Sequence, residues 1–247
     1  MLWLILILGL WQLLALSGVF PQLLLPKLQD IFRSLYRSFG NGQLLQQTGF
    51  SLFLILAGLA GGALLAVILL TAGTVSKVVA SFADFLVTFL HPLPGIALLP
   101  LVILWFGTGT AAVFIVILHS VVWPVFTSIL SGYRALPEQW RLIADNYRMN
   151  TWSRLVHVTI PGILPAVYAG LRIGWARAWR ALISAEMVFG AIGQTGGLGW
   201  YIFNKRVFMD TPGLFGGLFV VVLIGILAEN LLFLRLEERT IQRWENG

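Results

Sequence analysis

Six apolar runs in this sequence are long enough to cross a lipid bilayer, and they limit the fold more than any other feature. A helical span needs about 20 apolar residues. The runs cover residues 1–20, 48–70, 78–106, 110–130, 163–189 and 214–234. Only 11% of the 247 residues are charged, which is less than half of the roughly 25% found in soluble domains. The sequence therefore predicts an all-α, multi-pass membrane protein with about six transmembrane helices in a single domain, residues 1–247.

The first run, residues 1–20, lacks the basic residues that open a secretory signal. We expect it to be retained as a peripheral first span, with the core spans in residues 48–234. An even number of spans places both termini on one side. With the termini inside, more of the loop Lys and Arg residues lie in the cytoplasm than outside, so the positive-inside rule favours cytoplasmic termini.

Three local patterns refine this picture. Residues 21–46 form a polar segment in which Ile31, Leu35 and Phe39 recur at helical spacing, which predicts an amphipathic helix at the membrane interface. Gly58, Gly61 and Gly62 in the second run permit a close approach of another helix. The third run is interrupted by the sequence HPLP at residues 91–94, and two prolines so close together predict a kink or break there.

A charged segment, residues 132–162, separates the fourth and fifth runs. Charges of alternating sign recur in it at spacings of four and three, which on a helix forms one ion-paired face; they are Arg134, Glu138, Arg141, Asp145 and Arg148. Apolar residues recur on the opposite face; they are Leu136, Trp140, Ile143 and Tyr147. The pattern fits a solvated face over the rest of the protein, and it also fits a helix whose apolar side docks into a partner's groove.

Several motifs resemble one family in their order and spacing. They are VTIPGILP at 158–165, AGLR at 169–172, AEM at 185–187, LLPL at 98–101, WFGTG at 105–109, GGLGW at 196–200 and FMDT at 208–211. Together they are similar to the inner-membrane permease subunits of binding-protein-dependent ABC importers, in the nitrate, sulfonate and taurine branch. The resemblance extends over about residues 26–244. It implies the type I ABC importer permease fold, with a cytoplasmic coupling loop in residues 132–162.

The resemblance also implies partners. It predicts a second permease chain, as a homodimer or a heterodimer, two ATPase subunits that bind ATP and Mg, and a periplasmic binding protein that delivers a small, anionic solute. It places the chain in a bacterial inner membrane. It predicts no catalytic residue and no cofactor in this chain. The net charge of +6 then reflects topology and lipid headgroups, and not a nucleic-acid partner.

In the family, the charged segment contains the helix that couples the permease to its ATPase. Carried over by position, the coupling residues are Arg141, Leu142, Ile143, Ala144, Asp145, Tyr147, Arg148, Asn150 and Pro161. Leu142 stands where the family has glutamate, and Arg148 where it has the glycine of the turn. Because a left-handed conformation is costly for arginine and milder for asparagine, we expect Asn150 to make the turn.

Charges within a span usually face a cavity or a partner. For the substrate path the sequence predicts His91, Arg177, Arg180 and Ser184, since Arg177, Arg180 and Ser184 share one helical face and guanidinium groups suit oxyanions. The alternatives are a structural His91 and an Arg180 that pairs with Glu186 or caps carbonyls of a neighbouring helix. Arg172 and Glu186 are predicted to be structural, with Glu186 holding the glycine-rich loop at 190–199.

The sequence gives less support to a metal site, an intramembrane enzyme or a stand-alone carrier. The chain has no cysteine, and His91, His119 and His157 do not have metal-ligand spacing, so we predict no metal site. An intramembrane enzyme would use His91 and Glu186 as acid and base, but no two such residues have a helical spacing that would place them together. A stand-alone secondary carrier is expected to contain inverted repeats, and none is evident. Glu229 and Asn230 are candidate interhelical hydrogen-bonding residues.

Overall fold

The computed structural model describes residues 2–189 and 196–233, and within these ranges the regular structure is entirely helical. The helices are α1 (Leu2–Leu16), α2 (Leu28–Gly40), α3 (Gln43–Val75), α4 (Lys77–Leu90), α5 (Leu99–Phe106), α6 (Thr110–Arg134), α7 (Glu138–Asn146), α8 (Thr151–Arg154), α9 (Ile160–Phe189), α10 (Leu198–Val207) and α11 (Thr211–Leu227). Short 3₁₀ or π turns join or extend some of them, at Gly95–Leu98, Leu155–Thr159 and Ala228–Phe233.

Four helices in the described ranges are long and apolar enough to cross a membrane, and the bent pair α4–α5 makes a fifth. The four are Gln43–Val75, Thr110–Arg134, Trp152–Val188 and Thr211–Leu231. The all-helical membrane fold predicted from the sequence is thus confirmed. The first predicted span corresponds to α1, whose 15 residues are fewer than the roughly 20 that a span needs. Its role as a sixth span stays a prediction.

The core forms where α6 packs between α3 and α9. Val113, Val116, Ile117 and Ile129 of α6 are fully buried there. The predicted close approach at the α3 glycines is confirmed, because a Cβ at Gly58 would collide with Ile117 and a Cβ at Gly62 would lie 2.6 Å from Val121. Small residues at such contacts bring the backbones together and increase dispersion contacts where no hydrophobic effect operates.

The break predicted in the third apolar run is present, since α4 and α5 meet at an angle of 92°. The cause is local: Pro92 and Pro94 have no N–H groups, so the helix cannot continue through them. The chain re-forms a helix through the 3₁₀ turn Gly95–Leu98. Gly95 lies so close to α6 that a Cβ there would collide with Ser120. The break is therefore packed against protein.

The amphipathic helix predicted in residues 21–46 is present as α2, and its position at the membrane interface stays a prediction. Ile31 and Leu35 are buried, but they pack on the protein together with Ser38, and the predicted third apolar partner, Phe39, is exposed. The Ser38 hydroxyl lies 2.8 Å from the Tyr201 hydroxyl of α10. Periodicity identified an apolar face, but it could not tell whether lipid or protein covers that face.

We expect Gly62→Ala to destabilise the protein by about 1–3 kcal/mol, because the added methyl group overpacks the contact between α3 and α6. The measurement is the thermal unfolding midpoint in a mild detergent. Gly49→Ala is the matched control, because it lies on the same helix with no atom within 4 Å of an added Cβ. Equal midpoints for the two variants would contradict the close α3–α6 packing.

Candidate functional site

A cavity of about 510 Å³ lies where the break between α4 and α5 faces α6 and α9. Its lining residues are His91, Pro92, Leu93, Pro94, Gly95, Ile96, His119, Ser120, Trp123, Arg177, Arg180, Ala181 and Ser184. We call it the arginine cavity. All four residues predicted for the substrate path, His91, Arg177, Arg180 and Ser184, line it. The structure therefore brings together residues that are up to 93 positions apart in the sequence.

Arg177 joins the cavity wall to the broken span. Its Nη1 atom donates to the His91 carbonyl oxygen, with the two atoms 3.5 Å apart. This carbonyl ends α4, where the prolines leave backbone acceptors without their usual helical donors. Non-helical backbone is tolerated in a membrane only when surrounding protein or water satisfies it. Arg177 thus stabilises the break while its charge remains at the cavity.

Arg180 does not pair with Glu186, so that alternative is wrong. Its Nε atom donates instead to the Ala176 carbonyl oxygen of its own helix, at 2.9 Å. Among the described residues, no carboxylate lies within ion-pair distance of Arg177 or Arg180, and none lines the arginine cavity. The cavity therefore has two guanidinium groups whose charges are not neutralised locally. In a low-dielectric surrounding, such a wall attracts anions.

Three further residues of this wall were missed by the sequence prediction: His119, Ser120 and Trp123 of α6. Ser120 donates to the Val116 carbonyl oxygen at 2.8 Å. The Trp123 indole nitrogen and both His119 ring nitrogens are buried without a hydrogen bond of normal geometry among the described residues, although the Leu90 carbonyl lies close to His119. These three residues could have been recognised in the sequence, because they form a polar group at positions i, i+1 and i+4 of an otherwise apolar span.

Glu186 is fully buried at the far end of α9, where it holds neighbouring segments together. Its carboxylate accepts hydrogen bonds from the Ser51 hydroxyl of α3, at 2.9 and 3.0 Å, and from the Gly199 N–H, at 2.7 Å. Ser51 in turn accepts from the Leu198 N–H at 2.8 Å. Gly197 lies so close that a Cβ would collide with the carboxylate. These bonds attach the start of α10 to α3 and α9. Residues 190–195 of the predicted loop lie outside the described ranges.

Arg172 also joins two helices. Its Nη2 atom lies 3.1 Å from the Glu229 carboxylate in the π turn after α11, so Glu229 is an interhelical partner as predicted. One turn earlier on α9, the Tyr168 hydroxyl donates to the Phe233 carbonyl oxygen. Both contacts fasten the end of α11 to α9, and none of these four residues lines the arginine cavity.

The ion-paired face predicted for the charged segment is wrong at its two ends, because Arg134 and Arg148 lie outside α7; for Glu138, Arg141 and Asp145, which share α7, it stays a prediction. Arg134 is the last residue of α6 and pairs with Asp84 of α4 at 3.5 Å, and Asp145 pairs with Arg154. Pro137 lies at the N-cap position of α7, so the residues before and after it do not share one helical register. The side chain of Arg141 lies outside the described part of the structure.

The apolar residues of α7 divide into two groups. Ala144 is fully buried, so it packs within this chain. Leu142, Ile143 and Tyr147 are exposed, and Tyr147 retains 76% of its accessible surface. Of the predicted coupling residues, these three present the apolar surface. A partner could therefore contact them without any rearrangement.

The turn after α7 differs from the prediction, because Arg148 and not Asn150 adopts the left-handed conformation, with φ at +48°. The Arg148 N–H donates to the Asp145 carbonyl at 2.9 Å, and the Met149 N–H donates to the Ala144 carbonyl at 3.0 Å. These are the two bonds of a Schellman motif, in which the left-handed position is usually glycine. Asn150 instead accepts from the Ser153 N–H at 2.7 Å and so caps α8.

Pro161 lies inside a helix that is continuous from Trp152 to Val188. The π turn Leu155–Thr159 precedes it directly. A proline ring clashes with the carbonyl four residues earlier, and a local widening of the helix is one recognised way to accommodate such a defect. The sequence motif at 158–165 therefore marks a helix irregularity.

Comparison with known proteins identifies the family. The family described as the binding-protein-dependent transport system inner membrane component matches residues 58–243, which include the arginine cavity and the charged segment. The chain belongs to this family. It is thus a transmembrane permease subunit of an ABC importer in an inner membrane, and this finding favours transport over the enzyme and secondary-carrier alternatives.

The permease is similar over most of its length to individual members. It is 28% identical to the taurine transport system permease protein TauC of Escherichia coli over 243 residues, which cover 96% of this chain and 86% of TauC. It is 26% identical over 241 residues to SsuC of Bacillus subtilis, provisionally named an aliphatic sulfonates transport permease (98% and 85% covered). It is 26% identical over 200 residues to the nitrate import permease NrtB of Synechococcus elongatus (78% and 70%).

We expect the turn of the permease to tolerate Arg148→Gly and to be disrupted by Arg148→Val. A left-handed residue costs roughly 1–2 kcal/mol without glycine, and β-branching makes this conformation a severe outlier. The measurement is hydrogen exchange of the Arg148-position and Met149 amides in detergent. Faster exchange in the valine variant alone is expected; equal exchange in both variants would contradict the positive φ at this position.

Proposed function

We propose that the arginine cavity is this permease's part of the translocation path for a small anionic solute. The observation that supports the proposal is the convergence of His91, Arg177, Arg180 and Ser184 on one cavity whose described lining contains no carboxylate. Sites that carry an ion need attraction strong enough for entry and weak enough for release. Two arginines, each with one bond to a backbone carbonyl, meet both conditions.

The chemistry of the wall suits an oxyanion. A guanidinium group offers paired N–H donors that match planar or tetrahedral oxyanions, and the Ser184 hydroxyl adds a neutral donor on the same helical face. The relatives are named for sulfonates, taurine and nitrate, and each of these solutes presents such a group. An anion that contacts Arg177 would compete with the His91 carbonyl for its donors, which links occupancy of the cavity to the broken span.

The rest of the transporter is proposed from the family. A periplasmic binding protein delivers the solute, a second permease chain completes the path as a homodimer or heterodimer, and two ATPase subunits bind ATP and Mg. This chain supplies no catalytic residue, and its termini lie in the cytoplasm. The exposed residues Leu142, Ile143 and Tyr147 dock into a groove of the ATPase, while Ala144 supports them from inside the permease.

We expect Arg180→Gln and Arg177→Gln each to lower solute uptake by about tenfold or more, since a hydrogen bond to a charged group contributes roughly 1.5–3 kcal/mol. The measurement is ATP-driven uptake into proteoliposomes that contain the complete transporter and its binding protein, with nitrate, taurine and alkanesulfonates as cargo. Arg206→Gln is the matched control, because this exposed arginine lies over the Phe203 ring and does not line the arginine cavity.

ATPase copurification should be unchanged in all three variants. If Arg177→Gln and Arg180→Gln both transport at the control rate, these arginines do not belong to the path. If only Arg177→Gln also lowers the unfolding midpoint, its bond to the His91 carbonyl is structural, and Arg180 remains the anion contact.

We expect Tyr147→Glu to weaken ATPase docking, because it places a charge on an apolar surface that must be desolvated in the complex. The measurement is the amount of ATPase retained on the tagged permease, together with solute-stimulated ATP hydrolysis. Tyr147→Phe keeps the ring and should behave like the parent protein. Full ATPase retention and coupling in Tyr147→Glu would show that α7 does not form the docking surface.

A further inference from the structure

Helix α2 presents a surface that the transport function does not explain. One face is buried on the protein through Ile31, Leu35 and Ser38. Next to that face, three aromatic side chains are exposed at positions i, i+4 and i+7: Phe32, Tyr36 and Phe39. Tyr36 retains 81% of its accessible surface. We call these three residues the aromatic stripe. Exposed aromatic and apolar side chains along one side of a helix are found on helices that lie at the membrane–water interface.

The contacts of α2 place it beside the apolar surface of α1. The Trp11 Nε1–H donates to the Pro26 carbonyl at 3.0 Å, and the Gln12 side-chain oxygen accepts from the Leu28 N–H at 3.0 Å. Most apolar side chains of α1 are exposed in this chain, and lipid is the solvent that such a surface requires. The start of α2 is thus fixed against a helix that contacts acyl chains.

A polar cleft of about 620 Å³ lies between α2 and the turn that joins α10 to α11. We call it the α2 cleft. Its lining residues are Gln22, Asp30, Arg33, Ser34, Arg37, Ser38, Asn41, Lys205, Asp210 and Pro212. The cleft has three basic side chains and several hydroxyl or amide groups. These are the donor types that bind phosphate oxygens.

The two carboxylates in the α2 cleft are already engaged. Asp210 pairs with Lys205 at 2.7 Å and also accepts from the Gly213 N–H, at the start of α11. Asp30 lies 3.9 Å from Arg33. Among the described residues, no carboxylate lies within ion-pair distance of Arg37. Within the described residues, Arg37 therefore has no carboxylate partner and Arg33 has only a distant one at Asp30, so both guanidinium groups are available to an anion.

The order of these groups around α2 follows from the helical turn of about 100° per residue. Moving around the helix from the buried face, the aromatic stripe comes first, then Arg33 and Arg37, and then the cleft residues Asp30 and Ser34. The arginine pair therefore lies between a polar cleft and a lipid-facing aromatic surface. One molecule can contact both only if it has an anionic head and apolar chains.

We propose that the α2 cleft binds the headgroup of an anionic phospholipid, with its phosphate on Arg37 and Arg33 and its acyl chains along the aromatic stripe. A free anion would use the arginines but not the stripe, and an acidic protein surface would leave the stripe uncovered. The lipid is the occupant that matches both surfaces. The proposal is independent of the cargo and of the role of Arg177 and Arg180.

The test uses the full-length chain in phosphatidylcholine nanodiscs, with and without phosphatidylglycerol. In the parent protein, phosphatidylglycerol raises the unfolding midpoint, and native mass spectrometry detects it as a retained lipid. The double variant Arg33→Gln with Arg37→Gln binds it about tenfold or more weakly, since each basic group near an anionic headgroup contributes about fivefold. Its midpoint in phosphatidylcholine alone equals that of the parent. Arg206→Gln, which removes one positive charge outside the cleft, retains the lipid.

Each other outcome overturns the proposal. If the double variant and Arg206→Gln lose lipid equally, the attraction is to general surface charge. If inorganic phosphate at millimolar concentration stabilises the parent as well as phosphatidylglycerol does, the site is for a soluble anion. If the double variant keeps its lipid but loses stimulation by the binding protein in the complete transporter, the cleft is a protein contact.

Tyr36→Ser should weaken lipid retention, and it should not change any response to phosphate.

Discussion

A lipid bilayer offers no hydrogen-bond partner to a peptide group, and this constraint organises the centre of the permease. A span can break inside the membrane only where protein or enclosed water satisfies the released backbone groups. Here the break at residues 91–94 packs on α6 through Gly95, and the His91 carbonyl at its start accepts from Arg177 of α9. The arginine cavity lies at this break, and Arg177 both supports the break and contributes charge to the cavity wall.

The same constraint acts at the far end of α9. A carboxylate buried among apolar helices is costly unless its oxygens are hydrogen-bonded. Glu186 is bonded by a hydroxyl from α3 and an N–H from α10, so one acidic side chain specifies how three segments meet. Gly197 and Gly199 are needed there because a side chain would occupy the space that the carboxylate fills.

Apolar length and proline chemistry made much of this fold predictable, because both act locally. They identified the long spans and the break, and helical spacing identified the face of α9 that presents Arg177, Arg180 and Ser184. The errors came from local and distant contacts that residue periodicity does not describe. The charge periodicity continued across Pro137 although the helix does not, and Arg148 is held in a left-handed conformation by two backbone bonds that no propensity scale contains. His119 was not predicted as a site residue because its neighbours across the cavity come from distant segments of the sequence.

The helix from Trp152 to Val188 runs without interruption over 37 residues, which corresponds to about 55 Å at 1.5 Å per residue. Its first turns lie beside the segment proposed to receive the ATPase, and Arg177 and Arg180 lie about 40 Å further along. Over that length, a tilt of about 5° at one end would displace the arginines by roughly 3 Å, which is the scale of a hydrogen bond. The π turn Leu155–Thr159 interrupts the regular α-helical hydrogen bonding, so the helix would bend most easily there.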